Sequence, residues 1–113
     1  MDCLFCKIVA GQVLAQKVFE TDSVLGFRDI LPKAPEHILV IPKKHFASIL
    51  DFGPQDAKLL GEVVAAIQDI AQQLNIRENG FRVVTNTGAN AGQAVSHVHF
   101  HILGGRTLAW PPG

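Results

Sequence analysis

Three of the five histidines in this 113-residue sequence stand at His97, His99 and His101, inside the run His97-Val98-His99-Phe100-His101-Ile102-Leu103. The intervening residues are apolar and strand-forming, and successive side chains of a strand point to opposite faces. The spacing therefore predicts one strand from His97 to Leu103 with three imidazoles on one face and Val98, Phe100 and Ile102 on the other. A neutral imidazole is both a nucleophile and a proton carrier, and its ordinary pKa of about 6.5 needs little adjustment for either task. A row of three can attack, bind and relay. As a packing feature it would need three separate polar partners inside one core, which makes chemistry the stronger reading.

The residues just before the row point to the kind of substrate. Thr87-Gly88-Ala89-Asn90-Ala91-Gly92-Gln93-Ala94 is small and glycine-bearing, so its main-chain N–H groups can approach an anion closely, with Gly88 and Gly92 as the permissive points. No residue between Glu78 and Gly113 is acidic. A site of imidazoles and amides without a carboxylate suits a negatively charged substrate such as a phosphate ester or phosphoramidate.

A metal is the competing use of the same side chains. Histidines two apart on a strand can chelate one zinc ion, and an open fourth position would make a zinc hydrolase. Cys3 and Cys6, the only two cysteines, form one Cys-x-x-Cys that with two histidines would close a structural tetrahedral site. The usual strand-then-helix context of a redox pair is missing around them.

These side chains must be carried by a small set of elements. Cys3 to Ala10 reads as a short helix with Gly11 at its C-terminal cap. Val18–Glu20 and Val24–Arg28 read as a hairpin around Thr21-Asp22-Ser23. Ile38–Ile41, stopped by Pro42, reads as a central strand buried on both faces, and a short helical stretch ends near Phe52-Gly53. Leu59, Leu60, Val63, Val64, Ile67, Ile70, Ala71 and Leu74 recur at three- and four-residue steps and predict one amphipathic helix from Pro54 to about Asn75. Phe81–Asn86 is a fourth strand and the histidine run the fifth. The expectation is one α+β domain over residues 1–113, an antiparallel five-stranded sheet with one long helix and short helices.

Composition narrows the partners. Ten basic and ten acidic residues give a formal net charge of zero with no basic stripe, so no nucleic-acid or acidic-membrane partner is suggested. No leader pattern follows Met1, and no apolar run approaches the ~20 residues of a membrane span. A soluble, cytoplasmic protein is expected.

The sequence resembles the histidine-triad family over nearly its whole length. The run His97 to Leu103 fits His-x-His-x-His with apolar residues between and after. Ala34-Pro35-Glu36-His37-Ile38-Leu39-Val40-Ile41-Pro42-Lys43-Lys44-His45, Gly92-Gln93, Leu103-Gly104-Gly105-Arg106 and Trp110-Pro111-Pro112-Gly113 are similar to the histidine-triad nucleotide-binding (Hint) branch. The ending sets it apart from the dinucleoside-polyphosphate hydrolase branch.

The resemblance implies a sheet extended across a two-fold homodimer and a site for a purine nucleoside monophosphate. It implies hydrolysis of nucleoside 5′-phosphoramidates through a nucleotidyl-histidine intermediate, with no cofactor needed for catalysis. His99 would be the nucleophile, its other ring nitrogen held by a main-chain carbonyl, with His101 on the phosphate and His37 in the supporting network. Asp29 would accept from the ribose hydroxyls, while Asn86 and the main chain of Gly92, Gln93 and Ala94 would hold phosphate oxygens. Phe5, Ile8 and Ile30 would line the base pocket, and Trp110 would reach towards the partner subunit's site. In Cys-x-x-Cys members zinc is held by residues that are Cys3, Cys6, His45 and His97 here, which would make His97 structural and any zinc remote from the phosphorus.

One position departs from the branch pattern. A hydroxyl residue commonly follows Gly-Gln, and this chain has Ala94, which removes one polar contact to substrate or leaving group. Three functions follow from the sequence: a phosphoramidate hydrolase or nucleotidyl transferase, a nucleotide-binding interaction protein with incidental turnover, and a zinc-dependent hydrolase.

Overall fold

Alternation of apolar side chains along the strands decides which helix covers which face of the sheet. The computed structural model describes residues 2–113. Its elements are α1 (Leu4–Val9), β1 (Lys17–Glu20), β2 (Val24–Arg28), β3 (Glu36–Pro42), α2 (Ala57–Gln73), β4 (Phe81–Val84) and β5 (Phe100–Gly104). The strands form one sheet in the order β1-β2-β3-β5-β4, and every neighbouring pair is antiparallel. The expected α+β architecture, with one long helix between the third and fourth strands, is the one found.

Val24, Ile38, Val40 and Ile102 pack with Val63, Ala66, Ile67, Ile70 and Ala71 of α2 on one face. Leu25, Phe27, Leu39 and Ile41 take the other face, against Phe5 and Ile8 of α1. The helix α2 seats closely because Gly26 carries no side chain: a Cβ there would fall 2.8 Å from the Ile70 methyl. Ile70 is fully buried, so truncating it to Ala would cost about 2–5 kcal/mol. Central β3 is buried along nearly its whole length, as its unbroken apolar run predicts.

Several boundaries differ from the expectation. The paired part of β5 starts at Phe100, not His97, because the β3–β5 ladder ends at Val40 opposite Phe100. Two residues further along β3 stands Pro42, which has no N–H with which to prolong it. β4 stops at Val84, and beyond it the Thr85 hydroxyl donates to the His99 carbonyl at 2.8 Å. Pro54–Asp56 is a 3₁₀ turn before α2, the short helical stretch is a 3₁₀ turn over Ile49–Asp51, and Val64 lies outside the core at 53% exposure. Gly11, at φ +78°, follows the Ala10 cap of α1. Among the described residues no helix is long and apolar enough to cross a membrane.

Candidate active site and metal centre

The three histidines do project to the α1 side of the sheet, although only His101 sits in a paired strand. In an antiparallel pair, opposed residues share a face, so His101 opposite Leu39 points with Phe27 and Leu39 towards α1. Phe5 of α1 meets the rings of both His97 and His99 edge-on, at centroid distances of 5.9 and 5.2 Å.

A cavity of about 300 Å³ opens between α1, the Val13–Ala15 loop and the β2–β3 side of the sheet. Of the residues singled out in the sequence, Phe5, Ile8, Asp29, Ile30, Ala94, His99 and His101 line it together. Phe5 and Ile8 are buried walls, whereas Ile30 is 91% exposed at the rim. Leu4, Val13, Leu14, Ala15, Phe27, Arg28, Leu39 and Val95 complete the lining. Sequence reasoning missed these. For Phe27 and Leu39 the strand alternation carried the signal; Val13 to Ala15 lie in a loop, where no periodicity marks them.

His37 sits behind His101 and outside the cavity wall, and hydrogen bonds fix the tautomers of both rings. The Lys33 main-chain N–H donates to His37 Nδ1 at 3.0 Å, so that nitrogen is unprotonated and the neutral ring carries its proton on Nε2. His37 Nε2–H then donates to His101 Nδ1 at 2.8 Å, which leaves the proton of His101 on Nε2. Burial, and then the neighbouring His99 and His37, hold the His101 pKa down at about 4 against the opposing pull of Asp29. Burial also depresses His37, opposed by Asp29. Both rings are neutral at pH 7, and His101 is a hydrogen-bond donor through Nε2.

His99 is oriented the opposite way. Its Nδ1 lies 2.7 Å from the His97 carbonyl oxygen, to which it must donate, and Nε2 keeps a free lone pair. Asp29 lies beside the relay, with one carboxylate oxygen accepting from the Leu31 N–H at 2.8 Å and the other 3.5 Å from His37 Nε2.

The remaining candidates fall outside the cavity wall. Gln93 braces the loop: its amide nitrogen donates to the Ala47 and Val95 carbonyls at 2.7 and 3.0 Å, and its oxygen accepts from the Gly88 N–H at 3.0 Å. Gly92 ends the 3₁₀ turn Ala89–Ala91 at φ +76°, a conformation costly for other residues. Asn86 lies two residues past the end of β4. Trp110 is 79% exposed and stacks over the Arg82 guanidinium at 5.9 Å.

The four-donor set Cys3, Cys6, His45 and His97 is compact. His97 Nδ1 lies 3.4 Å from Cys3 Sγ, 3.5 Å from Cys6 Sγ and 3.1 Å from His45 Nδ1, and Cys6 Sγ lies 3.4 Å from His45 Nδ1. A tetrahedral zinc with sulfur at about 2.3 Å and nitrogen at about 2.0 Å sets N–N edges near 3.3 Å and S–N edges near 3.5 Å. The donors fit that polyhedron. His97 Nε2 donates to the Pro42 carbonyl at 2.9 Å, which turns an unprotonated Nδ1 towards the sulfurs, as a metal-ligating histidine requires. Cys3 caps α1, its sulfur accepting from the Cys6 N–H at 3.3 Å. Without a cation, burial and the adjoining Cys3 thiol push the Cys6 thiol above its ordinary range, and burial lowers His97 against the pull of the Pro42 carbonyl. Asp29, His37 and His101 also cluster, but the proton shared between the two imidazoles occupies the nitrogens that a metal would need.

Comparison with known proteins matches the model of the HIT domain to residues 10–108. An uncharacterised HIT-like protein of Synechococcus elongatus is 47% identical over 99% of this chain and 97% of its own length. The crystal structure of a HIT family hydrolase from Legionella pneumophila superposes with a TM-score of 0.97 at 47% identity, covering 99% of this chain and all of that one. A histidine triad nucleotide-binding protein from Candida albicans gives a TM-score of 0.84 at 33% identity, over 97% of this chain and 83% of its own.

Proposed function

This chain belongs to the HIT domain family, and from that membership we propose that it is a purine nucleoside phosphoramidate hydrolase or nucleotidyl transferase with His99 as the nucleophile. His99 Nε2 attacks the α-phosphorus of the substrate, the amine leaves, and water then releases AMP or GMP from the nucleotidyl-histidine. His101 Nε2–H and the main-chain N–H of Ala94 meet the charge on the phosphate oxygens with help from Asn86, while the Gly92 and Gln93 N–H groups, called on for the same task by the family resemblance, are spent on the Ala89 and Gly88 carbonyls and shape the loop. The base enters the apolar cavity between Phe5, Ile8 and Ile30, and Asp29 accepts from the ribose hydroxyls. His37 acts through His101 and is a positioning residue.

The observation that carries this reading is the pairing at the cavity floor of one imidazole with a free lone pair and one neutral imidazole presenting N–H. The closed Cys3–Cys6–His45–His97 set would hold zinc for structure and leaves the attack to His99. In such a site the ion supplies charge and a cross-link, with no open position for substrate.

A homodimer completes the proposal. β4 is an edge strand with Val83 43% exposed, and Val64 on the outer face of α2 is 53% exposed, a pair of apolar side chains suited to a second copy. Trp110 would then serve the partner's cavity, which accounts for its absence from its own. A cytoplasmic location agrees with two free thiols and a neutral charge balance.

The test is release of AMP from adenosine 5′-phosphoramidate by the wild-type protein and by His99→Ala. Turnover lost in the variant supports the reading, and turnover retained there refutes it. Absence of wild-type turnover with AMP still bound would favour a nucleotide-binding interaction protein, which the methyl group of Ala94 in the cavity wall would accommodate.

A further inference from the structure

The carbonyl that orients His99 belongs to a peptide that no β ladder holds. Sheet pairing of β5 reaches only Phe100, and Pro42 cannot donate to prolong it, so the His97–Val98 peptide must be placed by other contacts. Two of them flank it. On one side the His97 ring is fixed by the Pro42 carbonyl at 2.9 Å and by the donors Cys3, Cys6 and His45. On the other, the N–H of the same peptide, from Val98, donates to the Phe46 carbonyl at 2.6 Å, and Phe46 directly follows the donor His45. Both anchors of the peptide therefore run into the same four-donor centre.

We propose that the Cys3–Cys6–His45–His97 centre, holding one metal ion, orients the catalytic histidine: it pins the His97–Val98 peptide, and through the His97 carbonyl fixes the ring of His99. His97 and His45 are then positioning residues, and the proposal rests on the reading of His99 as nucleophile. A tetrahedral centre that draws its ligands from three chain segments, at Cys3–Cys6, His45 and His97, locks the main chains at residues 45 and 97 relative to one another. Loosened, the His97 carbonyl drifts from His99 Nδ1, and the His99 ring loses both its orientation and the preference for a proton on Nδ1 that keeps Nε2 nucleophilic.

The test compares zinc-loaded wild type, metal-free wild type, His45→Ala and His45→Cys, using zinc alone as the added metal. Three quantities are read: kcat and KM with adenosine 5′-phosphoramidate, AMP affinity, and the His99 tautomer from ring ¹⁵N NMR. Metal removal and His45→Ala should lower kcat roughly 10–100-fold, the range for loss of a supporting contact around a site, while AMP affinity holds. His99 should pass from a single Nδ1–H tautomer to a mixture. Zinc-loaded His45→Cys, which restores four donors, should recover both kcat and the tautomer.

Equal kcat and an unchanged tautomer in folded metal-free protein would overturn the proposal. If His45→Ala does not fold, a strong chelator is added to the zinc-loaded protein while metal release, turnover and far-ultraviolet circular dichroism are followed together. Turnover that falls with metal release and ahead of the dichroism supports the coupling; turnover that falls only with the dichroism overturns it. Turnover surviving in His99→Ala would sink the nucleophile reading instead, and the His99 tautomer would still decide whether the metal centre orients that ring.

Discussion

The Nδ1–H of His99 donates to the main-chain carbonyl of His97 at 2.7 Å, so one histidine of the row is aimed by the backbone of another. His97 Nδ1 meanwhile faces two sulfurs and His45, within 3.5 Å of each. Two neighbours of the same residue type thus carry different duties. His99→Ala should lower kcat by at least ~10³-fold, the scale of removing a covalent nucleophile, while AMP binding measured by calorimetry persists. An AMP-binding variant that still turns over would reject covalent catalysis.

His37→Ala removes the donor that fixes the proton of His101 on Nε2. Turnover should fall about 10–100-fold and the melting temperature should fall with it, because the substitution removes a buried ring and both of its hydrogen bonds, from the Lys33 N–H and to His101. His37→Gln, whose amide can still donate, should recover part of the rate. Equal rates in the two variants would dissociate His37 from the donor chain.

Acid should destabilise the fold through His101 and His37. Both have folded-state pKa values below their unfolded ones, His101 at about 4 against about 6.5 in the unfolded chain. Between those values the unfolded chain binds protons that the folded one refuses, so the stability attributable to His101 is complete above pH 6.5 and declines as the pH falls to 4. Melting temperature followed over that range should drop less steeply in His101→Asn than in the wild type. Parallel curves would mean that His101 is not held neutral.

Zinc should bind with proton release and raise the melting temperature. The Cys6 thiol must give up its proton to a cation, and free zinc at a hundredfold its dissociation constant would add about 2.7 kcal/mol. Dye-monitored proton release during titration checks the first part and scanning calorimetry the second. Cys3→Ser with Cys6→Ser should abolish both.

Val83→Lys should convert a dimer to a monomer if the β4 edge is the contact, as read by light scattering. The same variant should lower activity only to the extent that Trp110 serves the partner's cavity. A wild-type monomer would refute the dimer outright.

Period-two alternation made the faces of the last strand legible from the sequence, Val98, Phe100 and Ile102 against histidines, and the unbroken apolar run Ile38–Ile41 marked a central strand buried on both faces. Three- and four-residue steps placed the long helix in the same way, from side-chain spacing within one segment. What alternation could not show was where pairing stops. His97 and His99 keep the strand-like sidedness but not the ladder, because the limiting residue is Pro42 on a different strand. The metal set spans residues 3 to 97 and was legible only through family resemblance, as no local period joins Cys6 to His45. The Lys33 contact to His37 was invisible, being a main-chain N–H that any residue but proline would supply.

The chain of N–H groups from Lys33 through His37 to His101 is polarised in one direction. Every member gives towards the cavity, and the source is a peptide amide, which does not surrender its proton at neutral pH. Such a chain can solvate a developing negative charge but has no spare proton to spend on a departing nitrogen. Ala94, with only a methyl group at the cavity wall, offers none either. In the proposed reaction the departing amine would have to bring its own proton or draw it from water, so a substrate whose nitrogen is protonated before attack would react faster by chemistry rather than by fit.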